Sequence, residues 1–142
     1  MFKQILVSIF IISPLVGHCS KVLVLNQAFN NTVSYSTFDT VVIRNCTFTN
    51  INGNALNCFN TKYLLLDSCY FKNIDIFAVN FRSAQYAVIQ NCVFDSIGSG
   101  LIIGLESQDN ITHTSDNNLF RCDSVFIKNN TIKNIYSNGI RI

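Results

Sequence analysis

The sequence predicts an all-β fold, a parallel β-helix solenoid of about four coils, each with a repeat length of about 23 that falls in the range of stacked repeat architectures. Three observations carry this. A short unit recurs: Asn45 to Ile51, Ser68 to Ile74, Asn91 to Ile97 and Asn129 to Ile135. Its cysteines, Cys46, Cys69 and Cys92, are evenly spaced at 23, and Asn130 follows after 38, which is 23 plus an insertion of 15. A fixed period of this size marks a chain that stacks one supersecondary unit on the next. Apolar residues also alternate with polar ones at period two, the signature of strands with one buried face.

Residues 1–19 read as a secretory leader. Lys3 supplies the positive start, Ile5 to Val16 is an apolar run with Pro14 near its end, and Gly17 and Cys19 offer small residues before a cut at Ser20. The run is too short for a confident membrane span, so no transmembrane segment is expected after cleavage. The expected location is secreted or cell surface.

Residues 20–40 hold one β-type run, Val22 to Leu25, read as an opening strand or cap. A partial coil then begins near Thr32 with Val33 and Tyr35. Residues 41–142 hold the repeats. Counting from Cys46, Cys69, Cys92 and Asn130, apolar columns fall five and three positions earlier: Val41, Leu64, Ala87 and Val125, then Ile43, Leu66, Ile89 and Ile127. Two later stand Phe48, Phe71, Phe94 and Ile132, and five later Ile51, Ile74, Ile97 and Ile135. Ten and twelve later stand Leu56, Val79, Ile102 and Ile140, then Cys58, Phe81, Gly104 and Ile142. Three short strands per repeat, joined by Asn- and Gly-bearing turns, make one coil. Successive coils then stack at the strand spacing of about 4.8 Å.

The run Val125 to Ile132, continued by Asn138 to Ile142, resembles the right-handed parallel β-helix repeat of pectate lyases, polygalacturonases, phage tailspikes and adhesin-like surface proteins. The resemblance covers Thr32 to Ile142 and implies fold more than function. A leucine-rich repeat has an overlapping period. The pairs Leu56 with Cys58 and Val79 with Phe81 alternate as a strand where that repeat would carry its helix. Its leucine is also missing eight positions before the cysteine, where Phe38, Thr61, Ala84 and Cys122 stand. Residues 105–119 are polar without a period and are expected to form a loop at one corner.

Net charge is +2 and only 13% of residues are charged, so no nucleic-acid footprint is present. Six cysteines, five after cleavage, argue against a fully paired disulfide framework. Cys46, Cys69 and Cys92 are expected as a buried core stack of free thiols beside the ring stack Phe48, Phe71 and Phe94. Asn50, Asn73, Ser96 and Asn134 form a polar column that resembles the asparagine ladder of such solenoids, a structural role. Arg44, Asp67, Gln90 and Lys128 line one outer face near Lys72, Asp95 and Lys133. The resembled lyases work on such a face with clustered acids. Here Asp67 and Asp95 are interleaved with cations, and cross-rung ion pairs are expected. No catalytic residue, metal site or cofactor is expected, since Glu106, Asp109, His113 and Asp116 match no metal-binding spacing. Val42, Leu65, Val88 and Phe126 form an outward apolar stripe, a candidate contact surface. N-x-[ST] acceptor sites occur at Asn30, Asn45, Asn110 and Asn129.

These readings point to a secreted or cell-surface solenoid with a structural, adhesive or glycan-binding role. The alternative is a carbohydrate-active enzyme, a polysaccharide lyase or glycoside hydrolase, or a fragment of one. The expected partners are a polysaccharide or another protein surface. End-to-end self-association is a further expectation, because Gly139 to Ile142 stops inside a predicted strand.

Overall fold

The computed structural model describes residues 20–82, 85–103 and 124–141. The expected leader at 1–19 and the expected loop at 105–119 lie outside them, and with the loop Glu106, Asp109, Asn110, His113 and Asp116. Each passage of the chain makes three strands. The first sheet stacks β1 (Lys21–Leu25), β4 (Thr40–Arg44), β7 (Tyr63–Asp67), β10 (Tyr86–Gln90) and β13 (Ser124–Lys128). The second stacks β2 (Ala28–Phe29), β5 (Thr47–Ile51), β8 (Tyr70–Ile74), β11 (Val93–Ile97) and β14 (Thr131–Ile135). The third stacks β3 (Val33–Ser36), β6 (Leu56–Phe59), β9 (Phe77–Arg82), β12 (Gly100–Ile103) and β15 (Ile140–Arg141). Every pairing is parallel. The architecture is an all-β parallel solenoid. Three strands per repeat exclude the leucine-rich alternative.

The stretch at 20–40 differs from the expected cap and partial coil. β1, β2 and β3 form a rung of their own, pairing in register with β4, β5 and β6. Its corner between second and third sheets is shorter by four. Val33 stands 4 after Phe29, whereas their partners Phe48 and Leu56 are 8 apart. A count at 23 therefore places Val33 and Tyr35 correctly beside Leu56 and Cys58, but misses β1 and β2, which stand 19 before their partners.

The third-sheet columns also need one correction. Leu101, not Ile102, stands beside Val79 and Ile140, and Ile103, not Gly104, stands beside Phe81. The register slips at Gly100. Gly100 takes a φ of +80°, and a Cβ there would collide with the carbonyl of Gly139 on the next rung. The glycine lets that corner close one residue early.

The core is a set of columns. Val41, Leu64 and Ala87 are fully buried in the first sheet, and Leu56, Val79 and Phe81 in the third. In the second sheet the rings of Phe48 and Phe71 lie 4.5 Å apart and 1° from parallel. Phe71 and Phe94 follow at 5.0 Å and 15°, and Phe29 extends the stack below Phe48 at 4.9 Å. In-register parallel pairing forces like onto like, and an offset face-to-face contact is a favourable use of that spacing.

The corners are set by left-handed residues. Asn26, Asn45, Ser68, Asn91 and Asn129 turn the chain from first to second sheet with φ between 53° and 56°. Asn50, Asn73, Ser96 and Asn134 end the second-sheet strands with φ between 54° and 60°. Thr37 and Asn60 do the same after the third sheet. This region costs most L-residues about 1–2 kcal/mol, and Asn is among the few that enter it readily. The abundance of Asn at fixed spacing is thus primarily a backbone requirement.

Candidate functional site

The three outer faces of the solenoid differ in chemistry. Outside the first sheet, Leu23, Val42, Leu65, Val88 and Phe126 stand in one register column. Phe126 is 49% exposed, whereas Val42 is only 7% exposed although its neighbours Val41 and Ile43 face the core. Val42 is the smallest side chain between Leu23 and Leu65, so the stripe is not uniformly open. Beside it, Tyr63 and Tyr86 stack at 5.4 Å and 15°, and Tyr86 meets Phe126 at 5.3 Å and 40°. This face is the most apolar of the three.

The third column on this face is Arg44, Asp67, Gln90 and Lys128. Arg44 Nε reaches Asp67 Oδ2 at 3.7 Å. Asn91 Nδ2 and Ser68 Oγ donate to Asp67 Oδ1 at 2.9 and 3.1 Å. On the second sheet, Lys72 and Lys133 flank Asp95. Lys133 Nζ lies 3.3 Å from Asp95 Oδ2, and Asn134 Nδ2 and Ser96 Oγ donate to Oδ1 at 2.8 and 3.1 Å. At a third corner, Lys62 pairs with Asp39, which also accepts the Ser20 backbone N–H at 2.9 Å. The two candidate carboxylates are thus occupied by donors and set on different faces.

These contacts shape their titration. Burial raises the Asp67 carboxyl, but hydrogen bonds from Asn91, Gln90 and Ser68 and the charge of Arg44 outweigh it and hold it below its ordinary range. Asp95 is held low chiefly by Asn134, with Ser96 and Lys133 adding to this against burial. A depressed folded-state pKa adds stability above the unfolded pKa, near 3.9, and that contribution disappears as pH falls through the folded value. The urea midpoint is therefore expected to fall between pH 6 and pH 3. An Asp67→Asn, Asp95→Asn double variant should fall less, and an equal fall would show that these carboxylates do not couple folding to protons.

The polar column at Asn50, Asn73, Ser96 and Asn134 is a ladder in part. Asn73 Nδ2 donates to Asn50 Oδ1 at 2.9 Å on the exposed surface. The next step breaks at Ser96, and Asn134 bonds to Asp95 instead. A second polar row, which the sequence columns did not single out, runs outside the third sheet. Asn57 Nδ2 donates to Ser34 Oγ at 3.3 Å, and Asn54 Nδ2 to Asn57 Oδ1 at 3.1 Å. Asn80, 4% exposed, stands next in register. The signal was Asn57 and Asn80 between the columns at ten and twelve.

The deepest hydrogen-bonding column is the cysteine position. Cys92 Sγ accepts the Cys69 N–H at 3.4 Å, and backbone bonds from Gln27 and Cys46 reach Cys46 and Cys69 alike. Each thiol donates to the carbonyl two positions before it: Arg44 at 3.2 Å, Asp67 at 3.3 Å and Gln90 at 3.1 Å. Asn130 takes the same place in the last rung. Its Oδ1 accepts the Cys92 N–H at 2.8 Å and its Nδ2 donates to Ile89 O at 2.9 Å. Cys46, Cys58, Cys69 and Cys92 are free thiols. Cys58 is pushed up to about 12 by burial. The contact with Cys69 and burial raise Cys46, while Cys92 is lowered by its bond with Cys69.

Of the acceptor asparagines, Asn30, Asn45 and Asn129 are exposed, the latter two at corners with positive φ. Among the described residues no three His, Cys, Asp or Glu side chains are grouped to hold a metal. Compared with protein-family models, curated proteins and solved structures, the chain matches none.

Proposed function

We propose that this protein is a secreted or cell-surface contact module, adhesive or glycan-binding, that does not cleave its ligand. Its contact face is the outer face of the first sheet. The observation that carries this is the row of Tyr63, Tyr86 and Phe126 beside Leu65 and Val88, with Phe126 49% exposed. An exposed apolar patch rimmed by polar residues is a common mark of a contact site. Gln90 and Lys128 supply that rim. The resemblance to pectate-lyase-like solenoids favours a polysaccharide ligand. The pairing of Asp67 and Asp95 with cations and amides supports binding over catalysis.

Affinity electrophoresis through pectin and alginate tests this. Retardation is expected with at least one polymer, without release of unsaturated ends or reducing sugars. A Tyr86→Ser, Phe126→Ser variant with an unchanged unfolding midpoint should run at its unretarded rate. Retardation that survives this change would place the contact elsewhere. Turnover lost on Asp67→Ala or Asp95→Ala would make the protein an enzyme.

A further inference from the structure

We propose that thiol–disulfide chemistry gates the folding of this chain: the solenoid forms only while Cys46, Cys58, Cys69 and Cys92 are all reduced, and once formed it shields them. The four side chains are 1%, 0%, 2% and 1% exposed. Three occupy one register column on successive rungs, where side chains point in parallel. Their Cβ atoms are then separated by the strand spacing of about 4.8 Å, beyond the roughly 3.5–4.5 Å that a disulfide spans. The sulfurs are also engaged: Cys69 donates to Asp67 O at 3.3 Å and Cys92 to Gln90 O at 3.1 Å. A disulfide carries no S–H, so bridging them would remove both of these contacts and leave each carbonyl only its backbone donor, Asn45 N–H to Asp67 O and Ser68 N–H to Gln90 O, both at 3.1 Å. Cys58 sits in register between Tyr35 and Phe81 and has no exposed surface to hold an adduct.

The unfolded chain has none of these restraints. Cys46, Cys58, Cys69 and Cys92 follow one another closely in sequence, and closing the loops between them costs little chain entropy. A low-molecular-weight disulfide such as oxidised glutathione supplies the oxidant. One cysteine thiolate attacks it, forming a mixed disulfide and releasing one glutathione thiolate. A second cysteine thiolate then displaces the other glutathione. One protein S–S bond forms, the glutathione S–S bond breaks, and two protons pass from the cysteines to the two reduced glutathiones.

The test uses the full chain unfolded in urea, either with dithiothreitol or with oxidised glutathione and no reductant, then diluted. The reduced chain should regain its β-sheet spectrum, and the oxidised chain should regain it only after dithiothreitol is added. A Cys19→Ser, Cys122→Ser variant run beside it confines the result to the four core thiols. A second measurement needs no refolding. Natively purified protein should carry four reduced thiols at these positions, reacting with a thiol reagent at least about 10³-fold more slowly than in urea. An oxidised chain that recovers the same spectrum and urea midpoint would overturn the proposal. So would a disulfide or adduct at any of the four positions in folded protein.

Discussion

Phe71→Ala is expected to cost about 3–5 kcal/mol of stability, the cost of emptying a buried ring site. Phe71 is fully buried and lies between two rings, Phe48 at 4.5 Å and Phe94 at 5.0 Å. Removing it takes a ring contact from both neighbours and opens a void that neither adjacent rung can fill, because each is held in place by its own ladder of backbone bonds. Lys72, the next residue, is exposed and stands in the outward column beside Thr49 and Asp95. Lys72→Ala should stay within about 0.5 kcal/mol of the parent. Urea unfolding followed by circular dichroism measures both. Equal losses would mean that the two side chains do not divide between core and solvent.

Asn130→Ala should cost about 1–3 kcal/mol, although it removes little apolar area, because its amide satisfies the Cys92 N–H and the Ile89 carbonyl and alanine would leave both without that partner. Asn130→Cys should recover part of the loss, since a thiol meets the same two kinds of backbone group on the rungs below. Cys69 Sγ, for instance, besides its contact with Asp67 O, lies within 3.7 Å of Ile43 O. The order asparagine, cysteine, alanine in unfolding midpoint is the expected outcome. Cysteine and alanine falling together would show that the thiol column fills space without bonding.

The second, third and fourth rungs were legible in the sequence because their steps are equal and their columns nearly uniform. Phe48, Phe71 and Phe94 announce a stack before any coordinates are known. The first rung was obscured by physics of another kind. Its ladder position is Gln27, not cysteine, and its short corner after Phe29 puts everything before that corner out of phase, 19 rather than 23 residues from its partners. The slip at Gly100 was hidden for a similar reason. Ile102 looks as apolar as Leu101, so composition could not say which one belonged beside Val79. The ladder role of the thiols was masked by their own chemistry. A cysteine in an apolar column reads as filler, and only the approach of the Cys69 N–H to Cys92 Sγ reveals it as a bonding group. The row of half-buried Tyr63 and exposed Tyr86 and Phe126 depends on cross-rung proximity, which sequence spacing implies but does not orient.

The corner from first to second sheet has a further consequence. In every rung it consists of a pair: Asn26-Gln27, Asn45-Cys46, Ser68-Cys69, Asn91-Cys92 and Asn129-Asn130. The first member bends the chain through a left-handed conformation, and the second ties it to the neighbouring rung. The other two corners are unequal. One is shortened in the first rung, and the connection from β12 to β13 is lengthened by the insertion. The molecule therefore behaves like a spiral binding: one edge is the spine, fixed in pitch, while the other two edges can gain or lose pages. Variation in such a chain is channelled by geometry. Insertions and deletions collect along two edges, and the spine keeps every surviving column aligned.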